Sequence, residues 1–161
     1  MKTLFTLLIA LFSISLVSAQ DLPSVKLKDM EGNTIDTSTL VKDGKPVIIS
    51  FWATWCSPCK RELEAYAEYY EDWQDETGVT IVAVSIDDQR SVSRVAPYVN
   101  SVGWEYLVLM DTNFDFKRAM QVLNVPHTFL IDGEGNIVWQ ANNYSPGDEE
   151  ELYEELLKLV E

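Results

Sequence analysis

Thiols and imidazoles are scarce in this sequence: two cysteines and one histidine among 161 residues. A closed structural zinc site takes four ligands, so Cys56, Cys59 and His127 cannot build one. A three-ligand site, or two thiolates holding a soft ion such as Cu(I), is the most the inventory offers. Positive charge is scarce too. Twelve Lys and Arg stand against 26 Asp and Glu, a formal net charge of −14, and so acidic a chain has no electrostatic footprint for nucleic acid or anionic lipid. Repeats, low-complexity stretches and linkers are absent, and the length corresponds to one domain.

Long apolar runs are confined to the beginning. "MKTLFTLLIALFSISLVSAQ" has one Lys, an apolar stretch from Leu4 to Val17, and small residues at Ser18 and Ala19. At about 14 residues, broken by Ser13 and Ser15, the stretch is short of the ~20 that span a bilayer. It reads as a secretory signal peptide, residues 1–19, with 20–161 as the mature domain and no membrane insertion after cleavage. No Cys follows the small residues, as a lipid anchor would require, and the tail "KLVE" carries no endoplasmic-reticulum retention signal. The expected location is therefore a bacterial periplasm. Cleavage removes one Lys and no acid, leaving 11 basic against 26 acidic residues and a net charge of −15.

What is present is an alternation of strand and helix patterns. "LPSVKLKDMEGNTIDTSTLVKDGK" gives a short strand at 25–28, a turn at "EGN", an edge strand at Thr34 and Ile35, and Thr37 as the cap of one helical turn. "PVIISFWA" is β-branched and aromatic throughout, the pattern of a central strand buried on both faces. A helix over 57–77 follows, with Leu63, Tyr66, Ala67, Tyr70 and Trp73 as its buried stripe. Its acids Glu62, Glu64, Glu68, Glu71 and Asp72 are assigned to the solvated face, and Gly78 ends it. A buried strand at 79–87, a helix from Ser91 restarted at Pro97 and ended by Gly103, a strand at 105–111 and a short helix in "NFDFKRAMQVL" come next. "HTFLID" and "NIVWQ" form a hairpin across a Gly-containing turn. A last acidic helix is expected to start from a Ser145 cap with Pro146 in its first turn and to bury Leu152, Leu156, Leu157 and Val160. The fold class is α/β: a mixed central sheet flanked by helices on both faces.

The two cysteines stand together in "FWATWCSPCK". A disulfide there closes a four-residue loop and removes little unfolded-state entropy, so stability is a poor reason for it. Cys56 falls where a buried strand gives way to a helix, and free N–H groups and the helix dipole stabilise a thiolate there. Cys59 lies one turn on, on the same face. With Cys56 exposed at the tip and Cys59 partly covered, the first attacks a partner disulfide and the second resolves the mixed disulfide. Pro58 is tolerated in a first turn; Lys60 and Arg61 are nearby without a defined role. Metal binding through Cys56 and Cys59 stays open beside this reading. A peroxide-reducing site would want a Thr three residues before its nucleophile, where Ala53 and Cys56 stand instead. His127 reads as an ordinary strand residue, and "NYS" at 143–145 as a chance match to a glycosylation acceptor.

Taken together, "FWATWCSPC", "NVPHTFLIDGEGNIV" and the lead-in "LKDMEGNTIDTSTLVKDGKPVIISFWATWC" closely resemble the thioredoxin superfamily, and within it the TlpA/ResA-like exported thiol–disulfide oxidoreductases. The likeness covers the whole mature chain. It implies a thioredoxin fold with an extra N-terminal β-hairpin, an attacking Cys56, a resolving Cys59, and Trp55 flanking them. Pro126 matches the cis-proline facing the disulfide, with Val125 presenting its backbone to the substrate. Ser57 and Pro58 occupy the positions that help set the potential. Ser50 stands where thioredoxin has a buried Asp, and Asp88 in "VSIDDQ" is the acid the resemblance offers for tuning Cys59. Implied with these are protein disulfide substrates, a membrane thiol electron donor, no cofactor beyond the Cys56–Cys59 disulfide, no resident metal, and cytochrome c maturation as a task.

Overall fold

The computed structural model describes residues 22–160, so the expected signal segment lies outside the described residues. Strands β1 (Lys26–Asp29) and β2 (Thr34–Asp36) form the lead-in hairpin. β3 (Val47–Trp52), α1 (Ser57–Thr77), β4 (Thr80–Ser85), α2 (Val95–Val102), β5 (Leu107–Met110) and α3 (Asp115–Ala119) alternate after it. β6 (His127–Ile131), β7 (Ile137–Asn142) and α4 (Asp148–Leu157) close the chain. The strands form one seven-stranded sheet in the order β2-β1-β5-β4-β3-β6-β7. β3, β4 and β5 run parallel; β1 and β6 flank them antiparallel. The expected mixed α/β sheet and its N-terminal hairpin are both present.

Both hairpins close with the same chemistry. In "DMEGN" and "DGEGN", Asp29 and Asp132 accept from the backbone N and side-chain Nδ2 of Asn33 and Asn136, at 2.8 to 2.9 Å. The carboxylate and the amide thereby hold each turn shut across the glycine between them. The second turn also fixes how the sheet's end packs: a Cβ at Gly133 would lie 2.1 Å from the Gly44 carbonyl oxygen, so two loop backbones touch where no side chain fits.

The centre of the sheet is covered on both sides, and β3 has no exposed residue. Consecutive side chains point oppositely, and Ser50 and Trp52 meet α1 and α2, while Phe51 packs on Phe116 of α3 and Phe129 of β6. Two same-direction crossovers from β3 through β4 to β5 put α1 and α2 on one face, and α4 packs there against α1. Trp52, Tyr98, Trp104 and Tyr106 form a chain of tilted and edge-on rings between them, and the Tyr106 hydroxyl donates to the Leu63 carbonyl at 2.7 Å.

Four details differ from the sequence expectation. Ala67 is exposed, because the buried stripe of α1 runs through Cys59, Glu62, Leu63, Tyr66, Trp73 and Thr77. The cap of the turn at 37–39 is Asp36, while Thr37 is buried and ties down the lead-in through Val25 N and the Pro23 carbonyl. α4 starts at Asp148, three residues after Ser145, because the chain turns once more at Gly147, whose φ of +106° suits glycine. Its buried residues are Leu152 and Leu156, while Val160 is exposed.

Phe51→Ala, at a fully buried ring between two others, is expected to cost about 3–5 kcal/mol in urea unfolding. Leu123→Ala, on an exposed side chain, is expected to shift it by no more than about 0.5 kcal/mol.

Candidate functional site

β3 ends at Trp52, and four residues later the chain enters α1. A buried carboxylate organises this passage. Asp87, just past β4, accepts from Thr54 N at 2.8 Å, from Thr54 Oγ1 at 2.6 Å and from Ser85 Oγ at 2.9 Å. Ile86 N donates to the Trp52 carbonyl and Cys56 N to the Ala53 carbonyl, so the turn that presents the cysteines is tied to the end of β4.

Cys56 is the N-cap of α1. Its backbone is extended (φ −93°, ψ 100°) and its Sγ accepts from Cys59 N at 3.3 Å. Reduction would leave that N–H pointing at a thiolate, at the positive end of a helix 21 residues long. Pro58, in the first turn, gives up no intrahelical bond. The two sulfurs are joined in a disulfide with Cα atoms 5.4 Å apart. Cys56 is only 6% exposed and Cys59 not at all. Both sulfurs are thus buried: Cys56, expected to be exposed at the tip, is sheltered, and Cys59, expected to be partly covered, is fully so.

The shelter comes from across the sheet. The Val125–Pro126 peptide bond is cis, and Cys56 Sγ lies 3.8 Å from the Val125 carbonyl oxygen. Residues 56, 125 and 126 are therefore together, as the family pattern requires. The two most exposed large apolar side chains among the described residues, Trp55 at 62% and Leu123 at 78%, belong to the loops that meet here. Ser57 is exposed and accepts from the Arg61 guanidinium, and Lys60 lies 5.0 Å from the centre of the Tyr98 ring.

Asp88 does not face Cys59. Its carboxylate takes the Arg90 guanidinium at 2.8 and 3.0 Å, Arg90 N and Ser91 Oγ, and Arg90 holds it below the usual carboxylate range. The acid buried beside the cysteines is Glu62, which charge alone had assigned to solvent. It lies one turn beyond Cys59 on the inward face, 1% exposed. Ser50 Oγ donates to Oε2 at 2.7 Å; Thr128 Oγ1 and the Tyr66 hydroxyl donate to Oε1 at 2.8 and 3.1 Å. No cation is paired with it among the described residues, and burial outweighs the three hydroxyls, raising its pKa to about 7. Thioredoxin's carboxylate position, Ser50 here, has become a donor to a carboxylate carried on the helix. The signal was in the spacing: a residue three after an inward-facing Cys59 and four before an inward-facing Tyr66 must itself point inward.

His127, just past the proline, stacks on Phe129 with ring centres 4.4 Å apart and shares a hydrogen bond with Gln140 through Nε2. Among the described residues no three His, Cys, Asp or Glu side chains converge as metal ligands.

Comparison with known proteins places this geometry. A family model described as AhpC/TSA matches residues 19–140. The thiol-disulfide oxidoreductase ResA of Bacillus subtilis is 36% identical over 124 residues, 77% of this chain and 66% of that protein. ResA of Halalkalibacterium halodurans is 30% identical over 134 residues, 83% of this chain and 72% of that protein. The chain thus spans about two thirds of the length of these relatives. An uncharacterized thioredoxin-like protein from Porphyromonas gingivalis has a solution structure that superposes with a TM-score of 0.77 at 52% identity, covering 86% of this chain and 91% of that one.

Because Glu62 holds its proton more tightly folded than unfolded, stability falls as pH rises from about 4.5 to about 7 and levels off above. The expected loss is about 3 kcal/mol. Glu62→Gln removes it, so the gap between parent and variant in denaturant titrations should open over that window. Asp87→Ala leaves Thr54 N without an acceptor and is expected to cost about 1–3 kcal/mol in the same titration.

Proposed function

The chain belongs to the AhpC/TSA family, among the thiol–disulfide oxidoreductases of the ResA kind, and from that premise we propose that it reduces selected protein disulfides outside the cytoplasm. The observation that carries the reading is the Cys56–Cys59 disulfide at the tip of α1, with the Val125 carbonyl 3.8 Å from its outer sulfur.

In the reduced protein Cys56, as thiolate, attacks one sulfur of the substrate disulfide. That S–S bond breaks, a mixed disulfide forms, and the other substrate sulfur leaves and takes up a proton. Cys59 then gives its proton to Glu62, one turn away, and attacks Cys56 Sγ. The second substrate thiol departs, two electrons have passed to the substrate, and the proton on Glu62 returns to solvent or to the departing sulfur. Val125 offers its backbone as a short edge on which an extended substrate segment aligns.

The reading includes residues 1–19 as an export signal and a membrane-held dithiol as the donor that re-reduces Cys56–Cys59. Exported proteins of cytochrome c maturation are the substrate class that the family resemblance suggests. A second reading, soft-metal handling through the same two thiolates, is favoured only by their spacing.

The reduced protein should turn over insulin disulfides; Cys59→Ser should accumulate a mixed disulfide, and Cys56→Ser should do neither. Turnover should show an inflection near pH 7 that is lost in Glu62→Gln. An inert reduced protein that binds one copper ion tightly would overturn the proposal in favour of the second reading. The equilibrium potential of the couple decides the direction of electron flow, about 30 mV being worth ~1.4 kcal/mol.

A further inference from the structure

We propose that the cleft between Trp55 and Phe114 receives an acidic segment of the substrate protein, seated by an apolar side chain next to its disulfide. The inference rests on the oxidoreductase reading and adds to it the kind of partner selected. The cleft measures about 620 Å³ and shares Trp55 with the redox site. The buried Ile86 and the rings of Trp55 and Phe114 form the apolar part of its lining. Phe114 stands there with φ at +61°, a backbone that non-glycine residues seldom adopt. Such a lining suits an aliphatic or aromatic side chain.

Charge supplies the other half. Arg90, Arg94 and Lys117 line the cleft with Asp88 as the single acid. Asp88 is satisfied by Arg90, and neither Arg94 nor Lys117 enters any of the three ion pairs among the described residues. Lys117 instead donates to the Leu123 carbonyl at 3.2 Å, which places its charge by the loop leading to Val125. Two cations outside any ion pair, lining one cleft, are out of keeping with a chain of net charge −14. An acidic partner is repelled by the rest of the molecule and attracted here, so the field orients it with its disulfide toward Cys56.

The test uses two disulfide-linked peptides, alike except that Asp and Glu flank a Phe in one and Lys in the other. At low salt the acidic peptide should be reduced about tenfold faster, and the gap should close as ionic strength rises. Arg94→Glu, at an exposed and unpaired side chain, should erase or invert the gap, as should Lys117→Glu, while reduction of hydroxyethyl disulfide, which is uncharged, stays unchanged. Anisotropy of labelled, cysteine-free versions of the two peptides on the oxidised protein measures docking apart from chemistry. Equal binding of both peptides, or a preference that survives both substitutions, overturns the cleft proposal. Preferential acidic binding without reduction of any disulfide upholds the cleft and removes the oxidoreductase reading instead.

Discussion

A carboxylate buried with no counter-ion among the described residues, one helical turn beyond the inner cysteine, is the constraint around which the site is built. Three elements converge on Glu62: Ser50 from β3, Tyr66 from α1 and Thr128 from β6, each donating a neutral hydroxyl. A nearby Lys or Arg would have made the burial cheaper and the group useless. A solvated glutamate lies about four pH units below an ordinary thiol, so taking a thiol's proton costs about 5 kcal/mol; at a pKa of about 7 the cost drops to about 2 kcal/mol. In the proposed mechanism, desolvation raises the affinity of Glu62 for the proton that Cys59 gives up.

Two buried acids serve this site differently because their donors differ. Asp87 accepts a backbone N–H from the loop before the cysteines, so it determines where the chain runs. Glu62 accepts only side-chain hydroxyls and leaves the backbone to the helix. The first therefore bears on where the turn before Cys56 runs, and the second on a proton held under α1. The cis peptide bond at Val125–Pro126 completes the frame from just before β6, the strand that pairs with β3 in a register with Ser50 opposite Thr128. The same pairing that builds the sheet therefore brings together two of the three donors to Glu62.

Most of the architecture was legible because local chemistry and long-range packing agree. α1 spans the expected 57–77 with Gly78 in the left-handed conformation at its end, the "EGN" turn closes the lead-in hairpin, and the run from Val47 to Trp52 is buried throughout. The departures have separate physical causes. Glu62 carries the charge of its acidic neighbours, although its spacing from Cys59 and Tyr66 turns it inward, and Ala67, at the helical spacing of the stripe, falls past its edge and is exposed. Asp88 was favoured over Asp87 by resemblance, yet the alternation that buries Ser85 continues to Asp87. Ser145 looked like a cap because nothing in its own neighbourhood reveals the extra turn at Gly147.

In the proposed function, backbone pairing at Val125 would be indifferent to substrate sequence, since every residue carries the same N–H and C=O. Reliance on it alone would leave any accessible disulfide open to reduction. Selection must come from side chains around the sulfur, and there the surface departs from the rest of the molecule: exposed Trp55 and Leu123 beside Arg94 and Lys117, on a chain dominated by carboxylates. Over distances beyond about 10 Å, salt screens these charges and the encounter is nearly blind. Within that range the excess of acid elsewhere sharpens the contrast, because the same partner charge that is drawn to the cleft is pushed from the helices. The acidity of the chain and the small cationic exception to it are then two halves of one orienting field, and neither would discriminate without the other.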